Sequence, residues 1–451
     1  MPEESDFKIP KSEFSVSQLE NQNNSPVEST LPESISDTKV NLIGSTNRSP
    51  YAMLRRFSKT TMCKRLKRTD FWRTYCQIDM ERFRPNFKSE VQQKQITYHL
   101  CMTMSLMMTF LIAISSTYLA EFLFILWFLL MFQSLLHSLE MRTVYADCQP
   151  STNRLLIDRP PEYGFVNYET VVIKTNTVDV SITGYLLLQD TEHSTCPTML
   201  FLHGNAGNMG HRLEMCKIIM KGVKINIFII DYRGYGQSNG FPTEAGLCED
   251  AQIALDYLLH RKDIDIGQIF VFGRSLGGAL CIDLFTKEQN DGKILGFIIE
   301  NTFTSLPAIS CVIMSKVMGN LLTYVPNSFF YNIYPSAARI DRYIRDKRES
   351  KISGLFLIGD SDQLIPPGMT KSMANTYFSF DNDIPQNGCT ATNYLNQFTP
   401  VTQSKGGIIV FPNGGHDNTW LQFAWLKVIT QFINCVSQNR KSRPIFEFPQ
   451  S

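Results

Sequence analysis

Ser275 stands in Gly273-Arg274-Ser275-Leu276-Gly277, with a glycine two positions to either side. A serine hydroxyl is a weak nucleophile until a base takes its proton and an acid orients that base. Its chemistry would be acyl transfer: attack on a carbonyl, an acyl-enzyme, then release by water. The glycine spacing marks a turn so tight that a side chain at Gly273 or Gly277 would clash. Such a turn lifts the Ser275 hydroxyl at the end of a strand, beside the positive end of the following helix.

The base is sharply limited. Of the seven histidines only His416 follows Ser275, in the loop Phe411-Pro412-Asn413-Gly414-Gly415-His416. Three carboxylates compete as its orienting acid. Asp360 and Asp362 both follow the apolar run Leu355–Ile358, and Glu300 ends the run before it; spacing does not choose among them. A tetrahedral oxyanion needs fixed backbone N–H donors. Leu276, next after the serine, supplies one. The loop His203-Gly204-Asn205-Ala206-Gly207-Asn208 is expected to supply the other from Asn205. His203 itself reads as a structural loop residue, and Asp231–Gly236 as a turn.

These groups need a scaffold of short buried strands alternating with helices. Thr198–Leu202, Ile225–Ile230, Ile269–Phe272, Ile294–Ile299, Leu355–Ile358 and Gly407–Phe411 are apolar runs of strand length. Glu169–Lys174 and Val178–Leu188 read as an antiparallel pair before them. Leu247, Ala251, Ala254 and Leu258 form a helical stripe, Leu276–Phe285 a helix after the serine turn, and Leu421, Trp425, Val428 and Phe432 the stripe of a last helix. The expected class is α/β: a mostly parallel central sheet covered by helices on both faces. Residues 303–345 read as a small helical cap and 378–405 as a polar surface insertion.

Taken together, HGNAGNMGHR, DYRGYGQSNG, FGRSLGGA, ENTF, SDQLIPP and GGHDNTW resemble the α/β-hydrolase superfamily, and within it the membrane-anchored α/β-hydrolase domain proteins. The resemblance runs from about residue 140 to 437. It implies the α/β-hydrolase fold, with Ser275 as nucleophile, Asp362 as acid and His416 as base. Three departures stand out: a long N-terminal region, a long 378–405 stretch between acid and base, and Asp417-Asn418 where relatives tend to read Asn-Asp.

Ahead of the catalytic domain, expected over 166–437, the polar residues 1–54 lack the apolar content to fold alone. Residues 55–99 are basic. The run 100–138 is almost wholly apolar, exceeds the roughly 20 residues of one span, and begins too far from the N-terminus for a cleavable signal. A transmembrane helix is expected there, crossing once over Ala113–Leu136, with a cytoplasmic N-terminus. Two spans would return the domain to the cytosol. No Asn-x-Ser/Thr acceptor follows the run. Residues 139–165 read as a linker and 438–451 as a tail. The formal net charge is +1, which speaks against nucleic acid as partner. The eleven cysteines show no zinc-site or disulfide-framework spacing. No metal or organic cofactor is implied.

The expected function is a membrane-anchored serine hydrolase cleaving an acyl ester or thioester. Its partners would be the bilayer and an acyl-bearing substrate, either a lipid or an acylated protein, with depalmitoylation as the narrower expectation. A peptidase of prolyl-oligopeptidase type shares the same order of groups. A hydrolase fold kept only for binding is the other class, since fold does not guarantee catalysis.

Overall fold

Along strand β5 (Ile269–Arg274) the side chains alternate between two cores: Ile269 and Val271 join one buried cluster, Phe270 and Phe272 the other. The same alternation runs through β6 (Gly296–Glu300) and β7 (Ser353–Gly359). Period-two burial on both faces is what an internal parallel strand requires. The computed structural model describes residues 100–110, 118–147, 149–318, 325–347 and 351–441. The expectations for residues 1–99 and the end of the tail lie outside the described residues.

The other strands are β1 (Tyr168–Lys174), β2 (Ser181–Leu187), β3 (Thr198–Leu202), β4 (Asn226–Asp231), β8 (Cys389–Thr390) and β9 (Gly406–Phe411), and the sheet order is β1-β2-β4-β3-β5-β6-β7-β9-β8. β1 and β2 pair antiparallel and β2 meets β4 antiparallel; every later pairing is parallel. Helix α1 (Tyr118–Thr143) precedes the sheet. α2 (Leu213–Gly222), α3 (Glu244–Leu259) and α4 (Leu276–Phe285) follow β3, β4 and β5. α5 (Leu306–Met318) and α6 (Ser336–Asp346) lie between β6 and β7 in sequence. α7 (Pro367–Tyr377), α8 (Ala391–Gln397), α9 (Pro400–Lys405) and α10 (Trp425–Lys441) complete the chain. α3, α4, α6 and α7 cover one face; α2, α8, α9 and α10 cover the other. Each large apolar side chain fully buried this way stabilises the fold by about 1.5–3 kcal/mol.

Several expectations change. The cap region holds α5 and α6, and α6 is a core helix, burying Ile340, Tyr343 and Ile344. The 378–405 stretch is built into the domain: β8 adds to the sheet, and Phe378, Ile384 and Tyr394 are buried. The 139–165 linker is stitched down by hydrogen bonds, with Tyr145, Asn153 and Asp158 buried. Leu421 leaves the helical stripe. It ends a short 3-10 turn, and Ala424 takes φ 66° before α10 starts, so Leu421 points to solvent.

Among the described residues no helix is long and apolar enough to cross a membrane. Residues 111–117, which overlap the span expected over Ala113–Leu136, lie outside the description. α1 leaves Phe122, Ile125, Phe128 and Leu130 exposed, and Phe132 meets Phe329 beside the cap with ring centroids 6.1 Å apart.

Candidate active site

Ser275 caps the N-terminus of α4 at φ 55°, ψ −118°. A non-glycine residue there is strained and needs support. Its N–H donates to Glu300 O at 3.0 Å, and its carbonyl accepts from Gly278 N at 3.0 Å and Thr302 Oγ1 at 2.7 Å. The flanking glycines are sterically required. A Cβ on Gly273 would lie 2.2 Å from Gly277 O, and one on Gly277 would lie 2.0 Å from Leu202 O.

His416 comes to the serine from the loop after β9. Its Nε2 lies 3.1 Å from Ser275 Oγ and its Nδ1 lies 2.8 Å from Asp362 Oδ2. The other oxygen of Asp362 accepts the N–H groups of Leu364 at 2.8 Å and Ile365 at 2.9 Å. Pro366 and Pro367 then launch α7, where a missing N–H costs nothing. The loops carrying Asp362 and His416 are sewn together: Asp360 N donates to Phe411 O at 3.0 Å and Ser361 N to Gly414 O at 2.8 Å. Of the three carboxylates, only Asp362 reaches the imidazole. Asp360 is exposed. Glu300 is fully buried and accepts from Trp425 Nε1 at 2.6 Å. Burial pushes its carboxyl up, against the pull of the Arg274 guanidinium.

Of the two expected oxyanion donors, Leu276 follows the serine at the start of α4 and Asn205 lies on the loop after β3. That loop touches Ser275, since a Cβ on Gly204 would lie 3.4 Å from Ser275 Cβ. The backbone N–H groups of Leu276 and Asn205 find no acceptor among the described residues. His203 is fully buried, its Nδ1 2.7 Å from Gly204 O and its carbonyl accepting from Tyr232 Oη at 2.8 Å. Burial pushes the ring down to about 3. Asp231, 3.7 Å from it, is pushed up to about 7 by the same desolvation.

Similarity to known proteins identifies the family. Protein bem46 of Schizosaccharomyces pombe is 34% identical over 267 residues, covering 58% of this chain and 84% of that protein. Alpha/beta hydrolase domain-containing protein WAV2 of Arabidopsis thaliana is 36% identical over 235 residues, 50% of this chain and 65% of that one. The family model described as serine aminopeptidase, S33, matches residues 193–353. The chain belongs to the α/β-hydrolase family. The membrane protein YNL320W of Saccharomyces cerevisiae is 28% identical over 242 residues, 54% of this chain and 72% of that one.

In this α/β-hydrolase several supporting residues carry no mark in the catalytic spacing. Arg274 donates to the His416 carbonyl and, at 2.6 Å, to Asp417 Oδ1. Asn301, at φ 48°, accepts from Gly359 N at 2.8 Å and donates to Thr419 Oγ1 at 3.0 Å. Thr419 in turn donates to Gly415 O at 2.7 Å. The signal that could have found them is three polar residues, Glu300-Asn301-Thr302, ending a buried strand. The Asp417-Asn418 order also finds a use: Asp417 faces Arg274, and Asn418 Oδ1 accepts Gly415 N at 2.6 Å.

Proposed function

We propose that the protein is a serine hydrolase of acyl esters or thioesters. Ser275 is the nucleophile, His416 the general base and Asp362 the acid that holds the imidazole. The observation that carries the reading is the unbroken hydrogen-bonded chain Asp362–His416–Ser275, with its 2.8 and 3.1 Å links. His416 takes the Ser275 proton as Oγ attacks the carbonyl, then returns it to the leaving group. Water, activated by the same imidazole, breaks the acyl-enzyme. The N–H groups of Leu276 and Asn205 receive the oxyanion.

Attachment to a membrane through the apolar stretch around α1 belongs to the same proposal. It is supported by the basic flank before that stretch, the exposed aromatic and aliphatic side chains of α1, and the membrane description of the yeast relative. A tethered site favours lipid-like acyl chains, and the acyl group of an acylated protein is one such substrate. The match of residues 193–353 to the serine aminopeptidase S33 family model suggests a second reading, cleavage of aminoacyl amides.

A fluorophosphonate probe tests the reading on detergent-solubilised chain. Wild type should label, while Ser275→Ala and His416→Ala should not. Folded wild type that stays unlabelled would sink the catalytic reading. Turnover of long-chain acyl thioesters against aminoacyl amides then separates the two substrate classes.

A further inference from the structure

The loop 203–208 belongs to no helix or strand, yet it must hold an oxyanion donor still. Tyr232 and Arg212 hold the carbonyls of His203 and Ala206, and further support at Asn205 and Gly207 comes from the segment that leaves α1. Asn205 Nδ2 donates to the carbonyl of Val144, one residue past the helix. Asn205 Oδ1 accepts the N–H of Ala146 at 3.1 Å and the hydroxyl of Tyr235 at 2.7 Å. Gly207 N donates to Gln149 O at 2.8 Å. The segment is held from its other side as well. Tyr145 is buried, and its hydroxyl donates to Asn332 Oδ1 at 2.8 Å and lies 2.9 Å from Tyr334 Oη.

We propose that the Asn205 side chain is a positioning residue that clamps residues 144–147 onto the oxyanion loop, so that the chain leaving α1 completes the active site. The proposal rests on the serine-hydrolase reading. A primary amide suits the place because it donates to one backbone group and accepts from another at once. A carboxylate would face the Val144 carbonyl with like charge, and a methyl group would leave three polar partners without Asn205. The backbone N–H that meets the oxyanion survives any such substitution, so the side chain can be tested separately.

The test uses the full chain in detergent micelles with p-nitrophenyl butyrate as probe, and kcat is counted per site titrated by fluorophosphonate. Asn205→Ala should lower kcat per titrated site ten- to about a hundredfold while KM stays within about threefold, as expected for a misplaced oxyanion donor. Tyr235→Phe should lower it by about two- to fivefold, having lost one arm of the clamp. A purely structural role would instead reduce the number of titrated sites and leave kcat per site unchanged, which would overturn the proposal. Amide exchange over 144–147 gives a readout independent of turnover: it should rise in Asn205→Ala, and equal exchange in variant and wild type would also overturn the clamp. Wild type without turnover would defeat the hydrolase reading, while exchange would still decide the clamp.

Discussion

Arg274 reaches past the serine beside it in sequence to hold the backbone carbonyl of His416. Its guanidinium is buried and lies 3.5 Å from Glu300 Oε1 and 2.6 Å from the exposed Asp417. One cation thus ties the strand that leads to Ser275 to the loop that carries His416. A fork of donors in fixed geometry does this; a lysine ammonium does not. Arg274→Lys should lower kcat on a short ester about tenfold with KM little changed. Arg274→Met should also destabilise the fold by about 3 kcal/mol or more, because Glu300 loses its counter-charge, and adding Glu300→Gln should recover part of that loss. Full kcat in Arg274→Met would refute the role.

Three carboxylates near the histidine give a direct discrimination. Asp362→Asn should cost about ten-thousandfold in kcat, by analogy with the loss of an imidazole-orienting acid elsewhere. Asp360→Asn should stay near wild type, since Asp360 contributes only its backbone N–H to the junction with β9. Glu300→Gln keeps an acceptor for Trp425 and should retain activity within about tenfold. Steady-state kinetics on one ester decides all three, and an inactive Asp360→Asn would reopen the assignment.

The elbow glycine is a packing constraint before it is a catalytic one. Gly277→Ala would set a methyl group 2.0 Å from Leu202 O and 2.7 Å from His203 O, both backbone atoms. Several kcal/mol of destabilisation should follow. Gly368→Ala, with nothing within 4 Å of its Cβ, is the matched control. Thermal unfolding of the two should separate by many degrees; equal midpoints would mean that the turn can open.

Asp231 should leave a signature in the pH dependence of stability. Its folded value of about 7 lies above the ordinary 3.8, so the folded state holds a proton that the unfolded chain has lost. Stability therefore falls as pH rises between those values, by an upper bound of about 4 kcal/mol. His203, lowered to about 3, has the opposite slope between about pH 3 and 6.5 and partly masks it. Comparing Asp231→Asn with wild type by urea unfolding removes the mask, because His203 is present in both. The variant should gain on wild type from pH 4 to 8; parallel curves would contradict the buried-carboxyl account.

Much of this site could be read from residue order. Ser275 was marked by its two glycines and His416 by being the sole histidine after it. Asp362 was different, because two residues of spacing separate a buried carboxylate from an exposed one. What distinguishes them is that Asp362 caps two backbone N–H groups while the Asp360 N–H is spent on Phe411 O. Sparse apolar residues hid the rest. Tyr145 lies in a stretch whose prolines suggest a free linker, and Tyr394 in one whose asparagines and threonines suggest solvent, yet each is buried. Leu421 kept helical spacing, but the positive φ of Ala424 broke the helix between it and Trp425. Hydrogen-bonded corners such as Asn301 leave no periodic trace, since their partners come from the strand β7 and from the loop after β9.

The short strand β8 bears on solubility. Without it, β9 would end the sheet, and its sequence Gly-Gly-Ile-Ile-Val-Phe has no charge and no proline. Such a bare margin offers its backbone to any other chain and invites runaway cross-β stacking. β8 occupies that margin at Ile409 and Val410, and α8 closes over it. Cutting 378–405 down to a short connection would therefore first produce a sticky protein that self-associates, well before it disturbed the geometry around Ser275.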